Sequence, residues 1–392
     1  MSNLGFRIHR DIDNNTINAN IVNTIDAVIT NMESDTIILD NINLPTGSQI
    51  KIGGAPVLST STLGSSVTLG DNVPVNQSSN CIAIGEGAGS TSQSTNSIAI
   101  GSNSGSNDQG GNSISIGTNS GSLLQEPSAI SIGLNSGSVD QGTTSVAIGL
   151  GSGSSSQGQA SVAIGLTAGQ STQGDNAVAI GENSGKISQG QDSVAIGIDS
   201  GSSNQGTSAI AIGNTAGQSS QGINSVAIGL NSGKTNQGDN SVAIGELSGF
   251  SSQGTNCVAI GSLSGQNSQG NSSVIIGDNT GGGSIGINNV VVGANAVQDG
   301  ITDNNVILGC SAQQTDIAGG NNVIIGHNAK VSSGVSGSIV IGAGALASVS
   351  GEFVVGSSTF PINTSVTAGI DTIYLNVKIN NIDYKIPLNS IS

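Results

Sequence analysis

Short apolar triplets alternate with polar segments along most of this chain, and a glycine follows each triplet. Val146-Ala147-Ile148 before Gly149 and Val162-Ala163-Ile164 before Gly165 show the pattern. A fixed short period predicts a repeat architecture, in which each unit stacks on its neighbours and none folds alone.

The repeat glycines from residue 85 to residue 309 are separated by 16 residues at every step. They are Gly85, Gly101, Gly117, Gly133, Gly149, Gly165, Gly181, Gly197, Gly213, Gly229, Gly245, Gly261, Gly277, Gly293 and Gly309. The spacing then loosens to Gly326, Gly342 and Gly356, which gives 18 repeats. Upstream, Gly70 and Gly53 follow similar triplets and are expected to mark two degenerate repeats.

The residue types within one unit predict a short β-strand and tight corners. Val146 and Ile148 are β-branched and two positions apart, so in a strand they point to the same side while Ala147 points to the other. About three glycines per unit, including Gly158, would cost a helix roughly 1 kcal/mol each. We therefore expect an all-β chain: a parallel β-solenoid of 16-residue coils, about 4.8 Å per coil and on the order of 80–90 Å long over 18 coils.

The pattern leaves the orientation of the triplet open. In our first interpretation Val and Ile fill the coil, and the flat side with Ser, Ala and Gly meets another chain. The opposite assignment, with Ala inside and Val and Ile at the interface, is the alternative.

A glutamine recurs on the same period as the glycines, after Gly153 and before Gly158 in the unit that contains Gln157. Stacked side-chain amides can form a hydrogen-bonded ladder along such a column. A water-exposed glutamine at each turn is the alternative interpretation. The column consists of Gln141, Gln157, Gln173, Gln189, Gln205, Gln221, Gln237, Gln253 and Gln269.

Composition limits the core and the partners. Aromatic residues make up 2% of the chain and there is no Trp, so the core must be narrow and aliphatic. The net charge of −16, with only 8 Lys plus Arg, argues against nucleic acid or an anionic membrane as a partner. No apolar stretch of about 18 residues predicts a membrane span, and no apolar run near the start predicts a secretory signal.

Candidate catalytic and metal-binding residues are sparse. His9 and His327 lie far apart along the predicted rod, and the cysteines Cys81 and Cys257 occupy a column where Ser is usual. The nearest approach to a catalytic pair is Asp175 and Asp192, in neighbouring coils. We expect no enzyme activity, no metal and no cofactor. In the column after the repeat glycine, acidic residues never occupy adjacent coils, as a stacked register requires; they are Glu86, Glu182, Glu246 and Asp278.

The strings Asn224-Ser225-Val226-Ala227-Ile228-Gly229-Leu230-Asn231-Ser232 and Asn240-Ser241-Val242-Ala243-Ile244-Gly245-Glu246-Leu247-Ser248 resemble the head repeat of trimeric autotransporter adhesins. The resemblance covers about residues 80–356. It implies a left-handed parallel β-roll and a homotrimer of chains packed side by side. The chain departs from that family at both ends, where we find no signal peptide, heptad-repeat stalk or C-terminal membrane-barrel anchor.

Three segments follow from the pattern: a β-rich attachment or capping region at 1–80, the β-roll at 81–356 and a hairpin cap at 357–392. The first contains a basic, partly apolar tip, for which a solvated terminus is the alternative to docking; the tip residues are Phe6, Arg7, His9 and Arg10. In the last, Tyr374 and Tyr384 lie in two alternating segments around Asn380-Asn381, which predict a hairpin that covers the last coil.

These observations favour a non-enzymatic structural protein, a trimeric rod on the surface of a virion or otherwise extracellular. Its expected partners are other copies of the chain, a parent particle attached through the basic tip, and a host receptor or glycan contacted through Tyr374 and Tyr384. The alternatives are a bacterial surface adhesin exported and anchored by other means and a self-assembling extracellular filament. Ice binding is disfavoured, because no regular Thr column is present.

Overall fold

The computed structural model describes residues 49–52, 55–60, 66–73, 77–314, 319–361, 373–379 and 382–388. All of them belong to one compact unit, Pro45–Ser392. These residues contain strands and turns but no helix. They form a parallel β-solenoid of about 18 turns with coils of roughly 16 residues, which confirms the predicted fold.

Each apolar triplet forms a three-residue strand of the first sheet, and each strand pairs in parallel with the strand one coil away. The register is one to one: Val146 pairs with Val162, and Ala147 pairs with Ala163. The strands are Val67–Leu69, Ile82–Ile84, Ile98–Ile100, Ile114–Ile116, Ile130–Ile132, Val146–Ile148, Val162–Ile164, Val178–Ile180, Val194–Ile196, Ile210–Ile212, Val226–Ile228, Val242–Ile244, Val258–Ile260, Val274–Ile276, Val290–Val292, Val306–Leu308, Val323–Ile325, Ile339–Ile341 and Phe353–Val355.

A second parallel sheet forms from the polar half of the coil, and each of its strands ends on the column glutamine. Its strands are Thr91–Gln93, Asn107–Gln109, Leu123–Gln125, Val139–Gln141, Ser155–Gln157, Ser171–Gln173, Ile187–Gln189, Ser203–Gln205, Ser219–Gln221 and Thr235–Gln237. In later coils it continues as isolated bridges, such as Thr235 to Ser251. The two short strands Lys330–Val331 and Leu346–Ala347 form a separate two-stranded sheet. The first sheet and the second sheet form two sides of each coil.

Our first interpretation of the triplet is wrong, because Ala147 points into the coil and Val146 and Ile148 point outward. Ala147 is 0% exposed, whereas its two neighbours are partly exposed. The reason is steric. The space opposite Ala147 is occupied by Gln157, and Cβ of a side chain at Gly153 would lie 3.2 Å from Cβ of Ala147 and 2.6 Å from Oε1 of Gln157. Only a small residue fits there, so the larger side chains of the triplet face out.

The glutamine column lies inside the solenoid, so the solvated-turn alternative is wrong. Gln157 donates from Nε2 to the carbonyl of Val146 at 2.9 Å and so ties the second sheet to the first across the coil. Gln173 also donates to Oε1 of Gln189 in the next coil at 3.1 Å. The column begins at least three coils before Gln141, with Gln93, Gln109 and Gln125.

The interior Ala and Gln columns become aliphatic in the last third of the solenoid, while Asn289, Asn305 and Asn322 remain as buried polar side chains. Ile275 replaces the inward Ala, and Ile285, close to it, replaces the glutamine. The same exchange continues through Val291 and Ile301. The two columns change together because their side chains share the same space. The larger cluster is completed by Ala296, Val297, Ile307, Ala312, Ile324, Ala329, Val331, Val335, Val340, Ala345 and Ala347.

Glycines allow the corners for two different reasons. Gly149 has φ +128°, and a Cβ there would lie 2.5 Å from the carbonyl oxygen of Gly165. Gly158 has no unusual φ, but its Cβ would lie 2.5 Å from the carbonyl carbon of Gly174 in the next coil. Both positions are therefore restricted to glycine by the approach of the neighbouring backbone.

The two ends differ from the repeats. Val67–Leu69, before Gly70, pairs in parallel with Ile82–Ile84, which confirms this degenerate repeat. The repeat expected at Gly53 is wrong, since Gln49–Ile52 pairs antiparallel with Ala55–Thr60. At the other end Ile373–Ile379 and Ile382–Leu388 form the predicted antiparallel hairpin.

Candidate interaction surface

The outward side chains of the first sheet form one continuous apolar surface, which we call the apolar face. It consists of two parallel columns, one from Ile82 to Phe353 and one from Ile84 to Val355, and every position in both is apolar. The first column is Ile82, Ile98, Ile114, Ile130, Val146, Val162, Val178, Val194, Ile210, Val226, Val242, Val258, Val274, Val290, Val306, Val323, Ile339 and Phe353. The second is Ile84, Ile100, Ile116, Ile132, Ile148, Ile164, Ile180, Ile196, Ile212, Ile228, Ile244, Ile260, Ile276, Val292, Leu308, Ile325, Ile341 and Val355.

The apolar face is large for a surface exposed to water. Seventeen steps of about 4.8 Å make it about 80 Å long, and two columns two residues apart make it roughly 10 Å wide. The resulting area is on the order of 800 Å², above the largest patch of a typical monomer. It equals the area that each partner contributes to a standard protein interface, about 800 Å².

Side chains on the apolar face are held rigidly but remain accessible. Ile164, Ile180 and Ile212 are each 36% exposed, while the Ala between the columns is fully buried. Because β-branched side chains have few rotamers and lie on a hydrogen-bonded sheet, little side-chain entropy remains to be lost on contact. The face is therefore suited to bury apolar area against another flat surface.

The predicted repeat residues occupy defined places in this arrangement. Gly85, Gly149, Gly165, Gly229 and Gly245 all lie at the corner after the first sheet, with φ between +123° and +134°. Val146 and Ile148 belong to the apolar face, and Ala147 and Gln157 lie in the interior. The tip residues Phe6, Arg7, His9 and Arg10 lie outside the described residues. Tyr374 and Tyr384 pair with Pro387 and Val377 through the hairpin backbone, and their side chains lie outside the description.

The aspartate pair is engaged in bonds within the repeat. Asp175 accepts a hydrogen bond from the backbone N–H of Gln159 at 2.8 Å, and Asp192 accepts one from the side chain of Asn176 at 3.0 Å. Each carboxylate therefore accepts a hydrogen bond from the preceding coil.

Cys81 and Cys257 take the place of interior serines. Both are buried and free, and their thiols donate to the carbonyls of Ser94 and Gly270, each at 3.0 Å. Burial raises the pKa of the Cys257 thiol, against a smaller opposing effect of its backbone hydrogen bonds. These two thiols are expected to be unreactive, unlike the exposed Cys310.

Sequence reasoning missed the non-glycine residues with left-handed backbone, which lie at two of the corners and in the middle of the second-sheet strands. Non-glycine residues with left-handed backbone recur in three columns, and most are Asn, Asp, Ser or Thr, whose side chains tolerate this conformation. Their amides also stack from coil to coil: Asn96 donates to Asn112 at 3.2 Å, and Asn119 to Asn135 at 3.1 Å. The recurrence of Asn just before the Ser-Val-Ala-Ile string was the available signal.

Among the described residues, no three His, Cys, Asp or Glu side chains lie close enough together to hold a metal ion. The same part of the chain contains no helix with the length and apolarity needed to cross a bilayer. No protein-family model matches the chain. No curated protein sequence matches it either.

Proposed function

We propose that this chain is a non-enzymatic fibrous structural protein, which assembles as a homotrimeric rod through its apolar face. The observation that carries the proposal is the unbroken run of apolar side chains along that face, nearly all of them Val or Ile. Left in water, about 800 Å² of apolar area would cost on the order of 20 kcal/mol at 25 cal/mol per Å². Packing copies of the chain against one another through the apolar face removes this cost. The faces of two copies can match along their whole length, because every copy repeats with the same step of about 4.8 Å.

The number three comes from the resemblance to trimeric adhesin heads. The apolar face determines which side of each chain would form the interface. Each chain offers one apolar face, which packs toward a common axis with the second sheet on the outside. This orientation replaces the Ser/Ala/Gly interface of our first interpretation.

We further propose that the rod stands on the outer surface of a particle, most simply as a virion fibre or decoration protein. Two observations support a role for the solenoid as a spacer: the chain has a net charge of −16, and the coils of the described residues are uniform. Specific contacts then belong to the non-repetitive ends. The tip Phe6–Arg10 would attach the rod, and the hairpin with Tyr374 and Tyr384 would be the distal cap and contact a host receptor or glycan. A bacterial adhesin or an end-to-end filament would use the same apolar face.

The trimer is tested by sedimentation. We expect the wild-type protein to sediment with three times its chain mass of 38.2 kDa. Replacing Ile148, Ile164 and Ile180 together with Asp places like charges one coil apart at the interface, where desolvation is costly. That variant should sediment as a single chain and keep its β circular dichroism.

A matched control replaces three isoleucines of similar exposure that lie off the apolar face, namely Ile187, Ile223 and Ile287. This triple Asp variant should remain trimeric. A wild-type protein that sediments as a monomer at micromolar concentration would refute the proposed assembly.

The polarity of the rod is tested by truncation. Removal of residues 1–20 should abolish incorporation into particles and leave a folded trimer, because each described coil is hydrogen-bonded to its neighbouring coils. Removal of residues 370–392 should leave incorporation intact. The opposite pair of results, measured by copurification with particles, would show that the C-terminal end attaches.

A further inference from the structure

Cys310 and His327 lie in the same outward column, one coil apart, at the corner that follows the first sheet. Each comes directly after a repeat glycine. Hydrogen bonds between the two coils fix this placement: the N–H of Gly326 donates to the carbonyl of Leu308 at 2.8 Å. Two residues further along, the N–H of Asn328 donates to the carbonyl of Cys310 at 3.1 Å. The backbones that carry the two side chains are therefore one strand spacing apart, about 4.8 Å.

Both side chains are exposed, and the packing of the coils does not account for either. Among the described residues, Cys310 is the one exposed cysteine and His327 is the one histidine. From position 86 to position 294 the same column carries Glu, Asp, Ser, Thr, Asn, Leu, Ile and Ala. Because so many residue types fit this corner, the coil itself requires neither a thiol nor an imidazole here.

A thiolate and an imidazole are the ligands that zinc prefers in proteins. In a tetrahedral site the sulfur and the nitrogen lie about 2.3 and 2.0 Å from the metal, which places them about 3.5 Å from each other. Side chains of adjacent coils do come this close in the next outward column, where Thr167 donates from Oγ1 to Oδ1 of Asn183 at 2.6 Å. Cys310 and His327 can therefore bind one ion together.

A neighbouring amide holds the imidazole of His327. Nε2 of the ring and Nδ2 of Asn328 lie 3.0 Å apart, in hydrogen-bond contact. A histidine that binds a metal through one ring nitrogen almost always has its other nitrogen bonded to a polar neighbour, which fixes the ring. Asn328 supplies this contact when its amide is turned so that the oxygen accepts from Nε2–H. Nδ1 is then the nitrogen that ligates the metal.

One chain supplies only two of the four ligands of a closed zinc site, and no third His, Cys, Asp or Glu of the described residues lies close to the pair. We propose that Cys310 and His327 of one copy, together with the same pair of a second copy, bind one zinc ion that joins two rods side by side. Two thiolates balance the charge of the ion, so the site is neutral although each chain has a net charge of −16. The expected absence of a metal does not hold at this one place. The inference does not depend on how many chains form each rod.

Sedimentation of the reduced full-length chain with and without zinc tests the proposal. Zinc should bind at one ion per two chains and at least double the sedimenting mass. Magnesium at the same concentration should leave the mass unchanged, because it prefers oxygen ligands. The metal-free run reports the assembly of the rod itself, so a failure of the trimer and a failure of the zinc site are read separately.

Variants and a cobalt spectrum identify the ligands. Cobalt(II) in place of zinc should give a thiolate-to-metal charge-transfer band, which Cys310→Ser removes. His327→Asn should weaken zinc binding at least about tenfold, and Asn328→Gly about tenfold. The matched control combines Cys310→Ser with Ala294→Cys, which leaves one cysteine in the same column but two coils from His327. Association that survives in this control, a cobalt spectrum without the thiolate band, one zinc ion per chain with unchanged mass, or no zinc binding would each overturn the proposal.

Discussion

Replacing Ala147, Ala163 and Ala179 together with Glu is expected to unfold the coils that contain them. All three side chains point into the solenoid and are 0% exposed. A carboxylate there has no space, no cationic partner and a neighbouring carboxylate one coil away. Each substitution should cost at least about 3 kcal/mol, the range for an uncompensated buried charge. Loss of β circular dichroism and rapid proteolysis between residues 140 and 190 would report the unfolding.

The control for this experiment is Ser at the same positions. Ser115 and Ser131 already occupy the column, and each donates to a glutamine of the second sheet, Ser131 to Oε1 of Gln141 at 2.5 Å. Oε1 of Gln157 and of Gln173 are buried without a hydrogen-bond partner, so Ala147→Ser and Ala163→Ser would supply one to each. We expect these two variants to be as stable as wild type or up to about 1 kcal/mol more stable. A triple Glu variant that dissociates but keeps its β signal would contradict the inward placement of Ala.

Deleting Ser193–Ser208 is expected to leave a folded solenoid that is shorter by one coil, about 4.8 Å. The cut joins Asp192 to Ala209, so Val178 pairs with Ile210 and Gln189 stacks on Gln221. The interior Ala and Gln columns are restored with the same residue types, and the buried Ser193 and Ser200 are replaced by Ala209 and Ala216, which are buried in the intact protein. Small-angle scattering should show the shortening, and the melting temperature should change little.

Deleting only residues 193–200 removes one strand of the first sheet and half a coil. The inward position of Ala195 and the corner at Gly197 are then filled by residues of the second sheet, and Gln205 has no carbonyl of the first sheet opposite it. We expect loss of cooperative unfolding or aggregation of this variant. Equal tolerance of both deletions would contradict the coil register.

The period of glycine and the β-branched triplets were enough to predict coil length, parallel pairing and register, because each of these depends on spacing alone. Which side of the triplet faces inward depends on the width of the coil, which spacing does not give. A signal was present in the sequence: where Ala becomes Ile275, the glutamine ten residues later becomes Ile285. Residues that change together share space, so the Ala and Gln columns had to face each other inside.

At the N-terminal end the repeat predicted at Gly53 was wrong, for a physical reason. Repeats constrain one another, so a strand of one coil fixes the strand of the next. Ile50-Lys51-Ile52 resembles a triplet, but it joins its neighbour through a hairpin, and a local pairing of this kind needs no 16-residue offset. The exposure of Leu124 was also missed, since an exposed leucine is visible only once the outward positions of the coil are known.

Each coil meets its neighbours through the same side chains, and this has a consequence for the gene. Gain or loss of sixteen codons anywhere in the uniform part of the repeat produces a joint with the same coil register as the others. Unequal recombination between the similar repeats would therefore change the length of the protein in whole coils. The sequences of the ends would be unchanged, and the columns of the apolar face would stay continuous. We therefore expect the number of coils to be free to change while the sequence at both ends stays under separate selection.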